Sequence, residues 1–307
     1  MQDKELQTSD NGYKLVWSDE FDGLGLDPLS WKVETHPAGW MEGDKQEFAD
    51  TPYHVYVENS VLIIKPSKEI SSDGSVKYTS GRLTTFGHRS FKYGKFEASI
   101  KMPVGKGLLP VFELIPEYDY SPEIGSTDYP ASGRIIAATV FDSAVDQCYG
   151  GIGFGNPLMT AIDMVKSDGG SLADDFHTYS CEWEPGLIRF FLDGREYHRE
   201  SYWYSVSESG EELPYPAPFD KEFFLCFYLS IGNSSSGTPD NKEIFDMHNA
   251  MCIDYVKVWQ KESYDEDVRC PERLYDMRLA DDTGNYISDK KEDWSFHATA
   301  GGEGRVD

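Results

Sequence analysis

No run of apolar residues in this 307-residue chain reaches the length of a membrane span. Basic residues are few, with Lys and Arg totalling 28 against 54 Asp and Glu. The formal charge of -26 repels phosphate backbones and anionic membrane surfaces, so nucleic acid is not an expected partner and membrane insertion is not expected. The five cysteines (Cys148, Cys181, Cys226, Cys252 and Cys270) are an odd number, lie far apart and form no CxxC pair. Neither a zinc site nor a disulfide framework is indicated, and Cys181, Cys226 and Cys252 read as small core residues within apolar runs. The opening MQDKELQTSDNG has no apolar core of a signal peptide, as expected of a trimmed or cytosolic start. Internal repeats, low-complexity tracts and a sustained helical period are also missing.

What the chain does have is short β-branched or aromatic runs bounded by Gly, Pro, Asn or Asp. They include VYVENSVLIIKP, GRLTTF, KYGKFEASIKMP, LPVFELIP, GRIIAATVF, FHTYSCEWEP, LIRFFLDG, FFLCFYLSIG and MCIDYVKVWQ. In KFEASIKM, Phe96, Ala98, Ile100 and Met102 share one face and Lys95, Glu97, Ser99 and Lys101 the other. Pro185-Gly186 and Asp193-Gly194 mark two hairpins of a meander. The expectation is an all-β jelly-roll sandwich of two antiparallel sheets. An N-terminal extension covers 1–12, the sandwich 13–261, and a charged linker 262–287, where alternation fades. The segment 288–307 cannot form a core alone.

Linked motifs between Tyr13 and Gln260 carry a resemblance: LVWSDEFDG at 15–23, YTSGRLTTFG at 78–87, KYGKFEASIKMPVGKGLLPVF at 92–112, DFHTYSCEWEP at 175–185 and IDYVKVWQ at 253–260. In these motifs the chain resembles glycoside hydrolase family 16, the laminarinase and lichenase-like β-glucanases. The resemblance implies two curved sheets in the concanavalin A-like arrangement, with a long open cleft for a glycan. It also implies a catalytic strand reading Glu-x-Asp-x-x-Glu, or Glu-x-Asp-x-Glu without a bulge. A retaining glycosidase needs one carboxylate as nucleophile and a second as acid then base. Here the strand reads Tyr129-Pro130-Ala131-Ser132-Gly133-Arg134-Ile135-Ile136-Ala137-Ala138-Thr139. The nucleophile position therefore holds Arg134 and the middle position Ile136; the acid/base falls on Thr139 with a bulge, on Ala138 without.

The same resemblance locates further departures. Family tryptophans give way to Leu109, Glu113, Tyr129 and Ser235, and a usual cleft histidine to Cys148. Glu113 and Arg134 are expected to approach as an ion pair, with two independent solvated charges as the other reading. Trp40, Arg82, Glu113 and Tyr129 are the candidate sugar-contacting residues. For Trp40 the competing role is packing a turn, and for Arg82 a solvated or ion-paired place on a polar sheet face. Displaced acids that could restore catalysis are Glu97, Glu117, Asp119, Glu123, Asp128 and Asp142. The resemblance further implies a structural Ca²⁺ held by main-chain oxygens of Glu20 and Ser60 and by Asp254. The tail DWSFHATAGGEGRVD is similar to the opening strands of family 4/9 carbohydrate-binding modules. The expected function is a non-catalytic module that binds or presents polysaccharide, outside the cell and beside neighbouring modules of the same chain. The alternatives are a hydrolase with relocated acids and a structural spacer.

Overall fold

The structure, a computed structural model, describes residues 12–271 except 42, 142–143, 208, 234–235, 240–244 and 246–248. The segment expected to start a second module, 288–307, and the linker beyond 271 lie outside the described residues, as does Ser235. Among the described residues there is no α-helix, and two stacked antiparallel sheets make the sandwich.

The first sheet has eight strands: β1 (Lys14–Asp19), β4 (Val55–Glu58), β5 (Val61–Ile64), β9 (Gly94–Lys101), β16 (His177–Glu184), β17 (Leu187–Leu192), β18 (Arg195–Glu200) and β20 (Met251–Gln260). They run in the order β18-β17-β16-β9-β20-β5-β4, with β1 also pairing β20. The second has seven: β2 (Lys32–Val33), β8 (Arg82–Thr84), β10 (Leu108–Pro116), β13 (Arg134–Thr139), β14 (Gln147–Phe154), β15 (Met159–Lys166) and β19 (Phe223–Ile231), in the order β15-β14-β13-β10-β19-β8-β2. Two small sheets flank it, β11 (Tyr120–Ser121) with β12 (Gly125–Ser126), and β3 (Gln46–Phe48) with β7 (Val76–Ser80) and β6 (Ser67–Ile70).

Alternation explains the layers. Phe96, Ala98 and Ile100 of β9, and Met102 just beyond it, are buried in the core as their spacing predicts, while Lys95 and Glu97 pair on the other face. The meander is formed by β16, β17 and β18, turning at Gly186 and at Asp193-Gly194, all with positive φ. Central strand β19 departs from alternation because both its faces are covered, so all nine residues of FFLCFYLSI are buried. Phe223, Leu225, Phe227, Leu229 and Ile231 enter the main core, whereas Phe224, Cys226 and Tyr228 join a smaller cluster on the far side of the second sheet. That far side is where the family's cleft is expected. Gly133 has to be glycine, with φ of 79° and an added Cβ falling 2.7 Å from Pro218 Cγ. It sets the entry of the chain into β13.

Phe112 of β10 and Phe227 of β19 stack at 4.5 Å and 11° in the middle of the core, both without exposed surface. Phe112→Ala is expected to cost about 3–5 kcal/mol, seen as a lower urea midpoint with an unchanged slope.

Candidate functional site

The outer face of the second sheet is built by strand parity, because directly paired residues project to the same side. On β10 these are Leu109, Val111, Glu113 and Ile115, and on β19 Phe224, Cys226, Tyr228 and Ser230. Arg82 of β8 lies opposite Tyr228 and shares their face. The β10 to β13 pairing joins Val111 to Thr139 and Phe112 to Ala138, then shifts so that Glu113 faces Ile136. That shift is a bulge, and it sends both Ala137 and Ala138 into the core. Of the two registers open from sequence, the bulged one is adopted. Arg134, Ile136 and Thr139 therefore share the outer face. Thr139 Oγ1 donates to the Pro110 carbonyl at 2.9 Å.

Arg134 and Glu113 do approach, with Nη1 to Oε1 at 3.4 Å. Nη2 donates to Ser126 Oγ at 3.2 Å, and the guanidinium lies 4.8 Å from the centre of the Tyr129 ring. Arg82 takes the ion-paired place rather than a solvated one: it is 1% exposed, and its Nε donates to Glu34 Oε2 at 2.9 Å. Its guanidinium is ringed by Tyr228, Trp40 and Tyr120 at 5.0, 5.4 and 5.9 Å. Glu34 also accepts from Tyr120 OH at 2.6 Å and from Thr84 Oγ1 at 3.5 Å, with His36 Nε2 at 3.3 Å from the same carboxylate. Burial by itself would raise the Glu34 pKa; the His36 hydrogen bond, the Arg82 charge and the Tyr120 hydroxyl outweigh it and hold the carboxyl down at about 2. Trp40 stacks on His36 at 3.7 Å and 9°, and its Nε1 donates to the Glu123 carbonyl at 3.3 Å. One ring face is thus occupied by the protein itself, as in the turn-packing role.

Two segments cover this face. The loop bearing β11 and β12 is organised by Asp119, whose Oδ1 accepts from Thr127 N, Thr127 Oγ1 and Asp128 N at 3.0, 2.7 and 2.8 Å. The segment leading to β3 buries Asp44, whose Oδ2 accepts from Gln46 Nε2 at 2.6 Å and Ser230 Oγ at 2.7 Å. Burial raises the Asp44 carboxyl above its ordinary value against those donors. Glu34, His36, Asp44 and Tyr120 were missed from sequence. One signal was present, since Glu34 and His36 in WKVETH stand two apart and so on one side of an extended chain. Cys148, expected on the cleft face, lies in the core without exposed surface, and Tyr149, opposite Thr139, turns outward instead. Of the displaced acids, Glu97 belongs to the first sheet and pairs with Lys95, and Asp142 lies outside the described residues.

The three candidate metal-holding residues belong to segments that border a different place, one edge of β20. Along one edge of β20, β5 pairs with 251–253 and β1 with 256–260, leaving a gap at Asp254 beside a bulge. Glu20 follows Asp19, the partner of Val256, and Ser60 closes the turn before β5 with φ of 59°. Exposed Asp254 thus stands where both main-chain segments end, while the Glu20 carboxylate is engaged by Lys257 Nζ at 3.1 Å. Two carbonyls and one carboxylate are a donor set suited to a hard cation.

Replacing Glu34 tests the buried pair. Its folded carboxyl at about 2 lies below the ordinary 4.5, so its stabilisation is complete above pH 4.5 and lost as pH falls through about 2. That contribution is about 3 kcal/mol. Glu34→Gln is expected to lower stability at pH 7 by about 3–5 kcal/mol, because it strands Arg82. Urea midpoints between pH 7 and 2 should also show a flatter acid limb in the variant.

Comparison with known proteins places these features. The sequence pattern of glycosyl hydrolases family 16 matches residues 42–217. The chain is 30% identical to glucan endo-1,3-beta-glucosidase A1 of Niallia circulans over 82% of its own length, and spans 38% of that relative. It is 22% identical to beta-1,3-glucan-binding protein of Penaeus monodon, over 82% of this chain and 92% of the relative. The catalytic domain of an endo-1,3-beta-glucanase (laminarinase) from Thermotoga petrophila superposes with a TM-score of 0.66 at 29% identity, over 82% of this chain and 99% of that one.

Proposed function

We propose, since the chain belongs to glycosyl hydrolase family 16, that it is a member that binds or presents polysaccharide without cutting it. The observation that carries this reading is the bulged register, which turns Arg134, Ile136 and Thr139 toward the cleft side. A guanidinium stays protonated and cannot attack an anomeric carbon, and a butyl group cannot tune a neighbour's proton. Thr139 is buried with its hydroxyl committed to a carbonyl, so it offers no general acid. β-Glucans are the first glycans to try, because one relative is named for binding β-1,3-glucan and another as a glucan endo-1,3-beta-glucosidase. We place the protein outside the cell, beside neighbouring modules of the same chain. A spacer role is favoured by one observation, the packing of Trp40 and Arg82 against the protein's own residues.

Incubation of pure protein with laminarin, lichenan, agarose, carrageenan and xyloglucan should release no reducing ends, while affinity gels containing β-glucan should retard it. Sugar release would overturn the non-catalytic reading and point to the relocated acids. Unretarded migration across the whole panel would favour the spacer.

A structural Ca²⁺ at the Glu20, Ser60 and Asp254 junction is the second part of the proposal. Added Ca²⁺ is expected to raise the thermal midpoint by several degrees and EDTA to reverse it. Asp254→Ala should keep the fold but lose that response; an equal response in the variant would remove the site.

A further inference from the structure

We propose that Arg134 and Glu113, with Ser126, form a grip for the vicinal hydroxyls of one neutral sugar residue. The inference rests on the reading that this module binds polysaccharide, and it names the atoms that would do so.

The outer face of the second sheet holds two arginine–glutamate pairs, and they differ in contact length and in access, at 2.9 Å with the arginine side chain 2% exposed and at 3.4 Å with it 19% exposed. Glu34 and Arg82 are both almost wholly buried, with hydrogen bonds to the Glu34 carboxylate from Arg82, Tyr120, His36 and Thr84. That pair is sealed from solvent: Arg82 Nη1 has no hydrogen-bond partner among the described residues, but no ligand can reach it. Glu113 and Arg134 touch only at 3.4 Å, longer than the 2.7–2.9 Å of a well-formed charge-assisted contact. The Nε–H of Arg134 is buried without an acceptor among the described residues. Glu113 is 3% exposed, and among the described residues that long contact is the one hydrogen bond to its carboxylate. A buried charged donor left without an acceptor is costly, so an acceptor brought in by a ligand is favoured there.

The Arg134 side chain retains 19% of its surface, so a ligand can reach part of it, and the Tyr129 ring packs against the guanidinium at 4.8 Å. Charge decides the class of ligand. The Arg134 and Glu113 charges cancel, and an unpaired buried donor stands beside an under-used acceptor. A sugar hydroxyl both donates and accepts, so two adjacent hydroxyls can satisfy the guanidinium and the carboxylate together. A carboxylate or sulfate substituent would satisfy Arg134 but stand against Glu113, inside a chain of formal charge -26. Ser126 Oγ, already accepting from Nη2, adds a third polar atom. Toward Arg82 the face is occupied by Trp40 and Tyr120, which limits the grip to one residue.

The test is calorimetric titration of the whole chain with neutral hexasaccharides of β-1,3-glucan, β-1,4-glucan, xylan and mannan, and with hexagalacturonate. At least one neutral oligosaccharide is expected to bind and hexagalacturonate not to. Arg134→Lys, which keeps the charge, should weaken the neutral ligand about tenfold to a hundredfold, as for loss of a charge-assisted hydrogen bond. The double replacement Glu113→Leu with Arg134→Met leaves no lone charge and should do the same at an unchanged thermal midpoint. Unchanged affinity in both variants would overturn the grip while leaving polysaccharide binding in place. Tighter binding of hexagalacturonate would overturn the neutral class. Absence of binding to every glycan would overturn both the grip and the reading on which it rests.

Discussion

One extra residue in β13 governs what the outer face of the second sheet can be. Strand parity is binary, so a bulge between Ile136 and Thr139 reverses the facing of everything beyond it. Ala137 and Ala138, too small to fill much volume, enter the core side by side, and Thr139 comes out beside Val111. Without the bulge, Ala138 would face the cleft and Thr139 would thrust its hydroxyl among Phe112 and its neighbours. The bulge therefore keeps a polar group out of the core and holds Arg134, Ile136 and Thr139 on one surface.

That surface then has a charge problem, because Arg82 and Arg134 both project from it. An unpaired buried guanidinium is too costly, and the fold answers with Glu34 and Glu113. Such pairs add little net stability compared with apolar packing, but removing one partner is expensive. Their effect here is organisational. Glu34 draws in Tyr120 and His36, His36 supports Trp40, and Trp40 donates to the carbonyl of Glu123 in the loop that Asp119 shapes. A chain of polar contacts thus runs from the sheet floor to both covering segments, which lie over Phe224, Cys226 and Tyr228.

Much of this was legible in the sequence, and the remainder has a definite cause. Wherever a strand alternates, as in KFEASIKM, one rule of period two gave both its existence and its facing. The approach of Glu113 to Arg134 follows from parity on β10 together with the neighbouring of β10 and β13 that the resemblance implies. The cleft position that the resemblance implies for Cys148 is not the one it takes: β14 alternates without interruption, so Cys148 faces the core and Tyr149, opposite Thr139, faces out. Glu34, His36, Asp44 and Tyr120 escaped notice for another reason. They belong to short or irregular segments whose partners are remote in sequence: Tyr120 reaches Glu34 across 86 positions and Ser230 reaches Asp44 across 186. No local pattern encodes such contacts.

The same network bears on the proposal that this face does not hydrolyse glycans. A carboxylate placed at 134 would not recreate a nucleophile, because Glu113 is positioned to receive a guanidinium and would instead meet a like charge in a partly buried setting. Position 136 would still hold a hydrocarbon and position 139 a hydroxyl bound to Pro110. Arg82 would remain clamped by Glu34 and by three aromatic rings, keeping Trp40 turned toward the protein. Arg134 is held by Glu113, Ser126 and Tyr129, and Thr139 by the Pro110 carbonyl, so these side chains of the face sit among neighbours that suit them.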